Sequence, residues 1–369
     1  MKKSLTGIAA AAAVLCLVSA GCSKKNATDT KVGSEGSTYE LALVTDSGTI
    51  NDKSFNQGAW EGLADYAKGA NKTAKYYQPA EVSDEAYLQA IDLAVKGGAK
   101  IIVCPGYNFE ESVWEAQKKY PEVDFIILDG APHNADSSDK TIAKNTASIF
   151  YCEQQAGFLA GYAAVKEGNT KLGFMGGVAV PAVIKYGYGF VQGADYAAKK
   201  LGVKSVSMKY TYVGNFDATP ENMAKAAAWY NEGTQCIFAC GGAVGNSVMK
   251  AAETAKDGGK TVVGVDVDQS GESATVITSA MKNLAQSVKD TVGEYYAGMF
   301  PGGQSTTLTA KENGVQLPMA SSKFSKFTQA DYDDLFKSMG IGTISIKDNT
   351  AAATADKLGT EIVKVEVIN

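Results

Sequence analysis

From Tyr39 onward, short apolar runs alternate with amphipathic runs of helical period, and the whole alternation occurs twice. The spacing predicts strands at 40–45, 73–78, 100–104 and 123–128, separated by helices at about 54–68, 83–97 and 109–119. Each helix closes near a breaker: Gly69, Gly97-Gly98 or Pro121. Strands and helices alternating at this spacing form a parallel sheet covered by helices on both faces. After a hinge-like segment at 141–145 the pattern restarts with a helix at 153–166, a strand at 171–175 and a helix at 182–200. Strands at 205–212, 235–239 and 261–265 follow, with helices at 219–232 and 246–257 between them. A strand at 275–279, a helix at about 282–298 and a short helix at 327–338 come next. The Val/Ile alternation within 350–369 fits an edge strand or a frayed tail. The expected class is therefore α/β, with two similar units in tandem, and 369 residues at 45% hydrophobic suffice for two cores.

In open α/β sheets ligands bind outside the carboxyl ends of the strands. Three apolar strands here end in aspartate, at Asp46, Asp129 and Asp266. A fourth ends in the loop Gly241-Gly242-Ala-Val-Gly245, which permits close backbone approach to a ligand. A fifth, Val276-Ile-Thr-Ser-Ala-Met-Lys282, ends in lysine. With two facing units these ends share one cleft. The run Asp46-Ser-Gly-Thr-Ile-Asn-Asp-Lys-Ser-Phe55-Asn56-Gln57 adds a flat aromatic face and an amide that both donates and accepts. Such a set suits a ligand with a planar half and a polar half. Each residue also has a plainer reading: Asp46 as a helix cap, Phe55 as core, and Lys282 as a solvated helix-start lysine.

Composition narrows the chemistry. The formal charge is −5, and a mildly acidic chain is a poor nucleic-acid binder. All basic residues are lysine, so the bidentate forks that grip phosphates and dicarboxylates are missing. His133, in a Gly-Ala-Pro-His-Asn loop, is the single histidine, and without a second no triad forms elsewhere. No short-spaced acidic cluster suggests a metal cage, and no cofactor motif stands out: Gly187-Tyr-Gly-Phe-Val-Gln-Gly193 has the wrong spacing for a dinucleotide fingerprint and falls inside a helix. Paired carboxylates also allow glycoside hydrolysis, which keeps a secreted nucleoside hydrolase open beside a sugar-binding receptor or sensor. Cys236 and Cys240 lie four apart on one strand, about 13 Å at ~3.3 Å per residue, too far to bridge, and Cys104, Cys152, Cys236 and Cys240 are expected as buried free thiols.

Residues 1–21 read as an export signal, with Lys2 and Lys3 ahead of an apolar stretch too short for a comfortable span. Ser19-Ala20-Gly21 precedes Cys22, the expected lipidation site, and the polar, aperiodic stretch 22–38 is a flexible tether.

The Asp46 to Gln57 run resembles the basic membrane protein family of substrate-binding lipoproteins, to which purine nucleoside receptors belong. Similarity extends over about 40–348 through Gly173-Phe-Met-Gly-Gly177, Tyr186-Gly-Tyr-Gly-Phe190-Val-Gln-Gly193, the Cys240 to Gly245 loop, Val265-Asp266-Val-Asp268-Gln269 and Thr278-Ser-Ala-Met-Lys282. The resemblance implies a two-lobed type I periplasmic binding protein-like fold. Lobe 1 would comprise 39–145 plus about 269–305, lobe 2 would comprise 146–268 plus about 306–348, and 349–369 would be a tail. It further implies a non-enzymatic receptor, lipid-anchored on the extracytoplasmic face of the cell membrane, that delivers a nucleoside to an ABC permease. In that role Phe55 stacks on a purine, Asn56 and Asp129 face the base or its rim, Gly242 lies against the ligand, and Asp46, Asp266 and Lys282 hold the ribose. Tyr186, Phe190 and Phe238 are the candidates for a second aromatic.

Overall fold

A computed structural model describes residues 38–368. The export signal, Cys22 and the tether, apart from its last residue, lie outside the described residues.

The first lobe opens with β1 (Leu41–Val44), α1 (Phe55–Gly69), β2 (Ala74–Tyr77), α2 (Asp84–Lys96), β3 (Ile101–Pro105), α3 (Glu110–Lys119), β4 (Asp124–Leu128) and β5 (Thr146–Tyr151). The chain crosses over at Cys152 into α4 (Glu153–Lys166), β6 (Lys171–Gly176), α5 (Pro181–Leu201), β7 (Val206–Tyr212), α6 (Pro220–Asn231), β8 (Cys236–Cys240), α7 (Val244–Glu253), β9 (Thr261–Asp266) and β10 (Val276–Lys282). It returns through α8 (Leu284–Tyr296) and β11 (Gln304–Leu308), then crosses again to β12 (Val315–Gln316), α9 (Gln329–Gly340) and β13 (Val363–Val367). The first sheet has the order β11-β5-β4-β3-β1-β2, parallel throughout. The second runs β12-β10-β9-β8-β6-β7-β13, and β12 alone is antiparallel. Both faces of each sheet are buried: Leu41 and Leu43 pack on one side of β1, Ala42 and Val44 on the other. This is why the strands read as continuous apolar runs.

Three expectations are revised. The strand expected to return to lobe 1 pairs with β9 in the second sheet, so the return begins after Lys282 and is made by α8 and β11. The segment 146–151, assigned to lobe 2, is β5 of the first sheet. Of the two readings of 350–369 the edge strand holds and the tail does not, because β13 pairs with β7 over five residues at the sheet edge. Three backbone N–H groups, of Glu361, Ile362 and Val363, all donate to Asp195 Oδ1 on α5. The described cysteines are free, and Cys152 is only partly buried.

The glycines of 187–193 have a packing role. A Cβ at Gly189 would sit 2.1 Å from the Gln154 carbonyl, and one at Gly193 2.0 Å from that of Phe158. On the facing helix, a Cβ at Gly157 would meet the Tyr186 carbonyl at 2.1 Å. So α4 and α5 touch backbone to backbone, which only glycine allows.

Candidate functional site

The carboxyl ends of the two sheets face each other across a cavity of about 390 Å³, within the range of small-molecule sites. Asp46, Phe55, Asn56, Asp129, Gly242, Asp266 and Lys282 all line it. They fall into two groups.

The first group sits between β1 and α1. Asp52, not Ser54, caps α1: its Oδ1 accepts from the Ser54 and Gln57 N–H groups at 2.8 and 3.1 Å, its Oδ2 from the Asn56 N–H at 3.0 Å. The Asn56 amide then donates to Asp46 Oδ1 at 2.8 Å and to Asp52 Oδ2 at 2.9 Å, while its oxygen accepts from the Asp46 N–H. Both Asn56 amide hydrogens are therefore used inside the protein, and the residue orients Asp46 instead of presenting its amide to a ligand. Asp46 Oδ1 also accepts from the Gly48 N–H at 2.9 Å, and Oδ2 has no partner among the described residues. Burial pushes the Asp46 carboxyl up to about 6, against the pull of Gly48 and Asn56.

The second group surrounds Lys282, which is 3% exposed. Its Nζ pairs with Asp129 Oδ2 across the cleft, with Glu153 Oε1 at 3.2 Å, and approaches Asp266 Oδ1 at 4.0 Å. The ammonium lies 4.8 Å from the centre of the Phe55 ring. Burial alone would lower its pKa, but the three carboxylates overcome this and hold it well above the usual lysine range. Asp129 Oδ1 is buried with no hydrogen-bond partner among the described residues, and burial pushes the Asp129 carboxyl up to about 7 despite Lys282. Asp266 Oδ2 accepts from Ser54 Oγ at 2.5 Å, and Oδ1 from the Tyr186 hydroxyl at 3.3 Å; burial raises its pKa too. Asp129 and Asp266 adopt φ of 56° and 66°, a left-handed backbone uncommon outside glycine and typical of functional sites. Asp129 thus sits with Lys282 and Asp266, apart from the Asp46–Asn56 pair.

Of the three second-aromatic candidates, Tyr186 lines the cavity, whereas Phe190 and Phe238 are fully buried and pack on each other at 5.2 Å. The sequence reading missed Phe216. It lines the cavity from the loop after β7, on the lobe opposite Phe55. A Cβ at Gly177 would lie 2.4 Å from its ring, and one at Gly242, where φ is +50°, 3.0 Å from its carbonyl. The glycine loop therefore seats Phe216 as well as lining the cavity. Its sequence signal was weak: one aromatic in Val213-Gly-Asn-Phe-Asp, at the same rim as the strand-end aspartates. Glu153 and Lys185, also cavity-lining, were missed because a helix-start glutamate reads as ordinary dipole complementation. His133 is partly buried and contacts Glu110 Oε2 at 3.2 Å. Among the described residues no His, Cys, Asp and Glu group could hold a metal ion.

Carboxylates in this number, outnumbering the two ammoniums of Lys185 and Lys282 and with no guanidinium, accept hydrogen bonds from hydroxyls and amines and repel phosphates. The aromatic faces take a planar ring.

Known proteins place this architecture. The family profile Bmp, "ABC transporter substrate-binding protein PnrA-like", matches residues 39–350. The chain is 31% identical to "ABC transporter nucleoside-binding protein BmpA" of Lactococcus lactis subsp. cremoris, covering 86% of this chain and 92% of that one. It is 27% identical to the "CD4+ T-cell-stimulating antigen" of Listeria innocua, covering 94% and 99% respectively. Among solved structures, a solute-binding protein of an ABC transporter system from Aeropyrum pernix K1 superposes with a TM-score of 0.73 at 20% identity, covering 86% of this chain and 95% of that one. A similar protein from Conexibacter woesei gives 0.66 at 22% identity, covering 84% and 99%. At that identity the likeness speaks for the two-lobed fold.

Proposed function

This chain belongs to the Bmp family of PnrA-like ABC transporter substrate-binding proteins, and from that premise we propose that it captures a purine nucleoside and presents it to an ABC importer. The family is one of binding proteins, not enzymes. One observation carries the choice of ligand: a single cavity takes an aromatic from each lobe, Phe55 and Phe216, beside a carboxylate–ammonium cluster. The rings stack on the base. Asp46, with Oδ2 free, accepts from a donor on the base edge. Asp129, Asp266 and Lys282 hold the ribose hydroxyls, since a carboxylate's two oxygens match a vicinal diol. The name of the Lactococcus relative supports the nucleoside reading. Capture proceeds by hinge closure of the two lobes about their crossovers. The signal-like run ending at Cys22 supports a lipid anchor that keeps the protein at the outer face of the membrane.

Incubation of the purified protein with a purine nucleoside, followed by denaturation and chromatography, tests the reading. Intact nucleoside is expected; free base and ribose would mark a hydrolase instead. For the anchor, a Cys22→Ala variant should leave the membrane fraction, and equal partitioning with the wild type would place the anchor elsewhere.

A further inference from the structure

We propose that Glu153 is a positioning residue of the cleft: from within the second lobe it keeps the Lys282 ammonium aimed at the ligand, independently of Asp129. What the ammonium contacts rests on the nucleoside reading; what Glu153 does rests on geometry.

Glu153 opens α4 directly after the crossover and is 1% exposed. A glutamate is almost never buried so fully unless paired. Its Oε1 lies 3.2 Å from Lys282 Nζ and its Oε2 3.3 Å from Lys185 Nζ. Both lysines belong to the same lobe as Glu153, at the end of β10 and near the start of α5. The glycine contacts described above fix α4 against α5, and α4 also packs on β10. The Glu153–Lys282 separation is therefore set inside one rigid body. Asp129 hangs from β4 in the other lobe, so its pair with Lys282 spans the cleft. When the lobes part, that pair stretches and the Glu153 pair does not. Without Glu153, the ammonium of the open form is drawn to Asp266, 4.0 Å away, and the two ribose ligands neutralise each other. The remaining titratable groups near Glu153 are Tyr151 from β5, Tyr186 from α5, Cys240 from β8 and its neighbour Cys152, and burial holds all four protonated at neutral pH.

Two readouts on the mature protein test this. The first needs no ligand: a ¹³C NMR titration of the Asp129 carboxyl, assigned with Asp129→Asn. Its midpoint should lie near 7 in the wild type. Glu153→Gln removes a neighbouring negative charge, so the midpoint should fall, whereas Glu153→Asp, which keeps that charge, should leave it near the wild-type value. The fall shows that Glu153 acts on the cluster as a charge, and the affinity comparison then tests its hold on Lys282. The second is calorimetric titration with inosine: Glu153→Gln should lose at least tenfold in affinity, and Glu153→Asp should lose less. An unmoved Asp129 midpoint in Glu153→Gln, or equal affinity losses in the two variants, would overturn the proposal. If Glu153→Gln does not fold, Glu153→Asp decides alone, because its shorter side chain lengthens the contact to Lys282: a three- to tenfold loss is expected, and wild-type affinity overturns the proposal. A wild type that binds no nucleoside while the midpoint still moves would remove the nucleoside reading and leave the placement of Glu153 standing.

Discussion

Phe216 shows what a single residue contributes here. Its ring is seated on Gly177 and Gly241, and its carbonyl accepts from the Ala243 N–H at 2.9 Å, so the side chain is held at the cavity wall without belonging to the core. Base–aromatic stacking is worth about 1–3 kcal/mol by alanine substitution. Phe216→Ala should therefore weaken purine nucleoside binding by roughly 5- to 150-fold while changing the melting temperature little, as calorimetric titration beside a melting curve would show. Unchanged affinity would remove Phe216 from the site. The strand-end aspartates were legible in the sequence as cleft residues because an apolar run fixes where a strand stops. Phe216 was not, since a loop aromatic carries no period. Nor was the use of Asn56: its type says that it can donate and accept, but only the fold says that Asp46 and Asp52 take both its hydrogens.

At the scale of elements, α1 and β13 make separate predictions. Asp52 satisfies three backbone N–H groups at the start of α1, and losing a cap costs about 0.5–2 kcal/mol. Asp52→Ala should lower the melting temperature, and it should also weaken nucleoside binding because Asn56 loses an anchor. A fall in stability with affinity intact would confine Asp52 to capping. Truncation after residue 350 strips Asp195 of its three N–H donors and bares the β7 edge. Melting should drop by several degrees with nucleoside affinity within about twofold of the wild type, since β13 lies at the sheet edge away from the cavity. A truncated protein as stable as the full chain would contradict this account of β13. Long periodic helices and buried parallel strands were legible from periodicity. The short strands β11 and β12 were not, because exposed polar residues such as those of 304–308 carry no apolar signal. The crossovers were misplaced for a related reason: a strand's sequence records that it is buried, not which sheet buries it.

For the whole molecule, pH is the global lever. Burial lifts Asp46 to about 6 and Asp129 to about 7, above the ~3.9 of an unfolded aspartate. Between about pH 4 and 7 the folded state therefore binds more protons than the unfolded chain, and raising the pH through that window favours unfolding. His133 acts with the same sign: chiefly through the Asn134 carbonyl its folded pKa is raised, and the stability it adds is lost as the pH climbs through that value. Glu40, depressed to about 2 by Lys72 and Tyr296, has the opposite sign, but it acts only in acid, below its unfolded value of ~4.3. The melting temperature should accordingly fall from pH 5 to pH 8, and a rise across that range would contradict the buried-carboxylate picture.

Calorimetric titration of the purified mature protein with a purine nucleoside, with the free base and with ribose tests the central claim most directly. The account predicts one-to-one binding of the nucleoside, with the base and ribose each weaker by at least tenfold, because the aromatic walls and the Lys282 cluster each hold only half of the ligand. Absence of nucleoside binding, or ribose binding as tightly as the nucleoside, would contradict it.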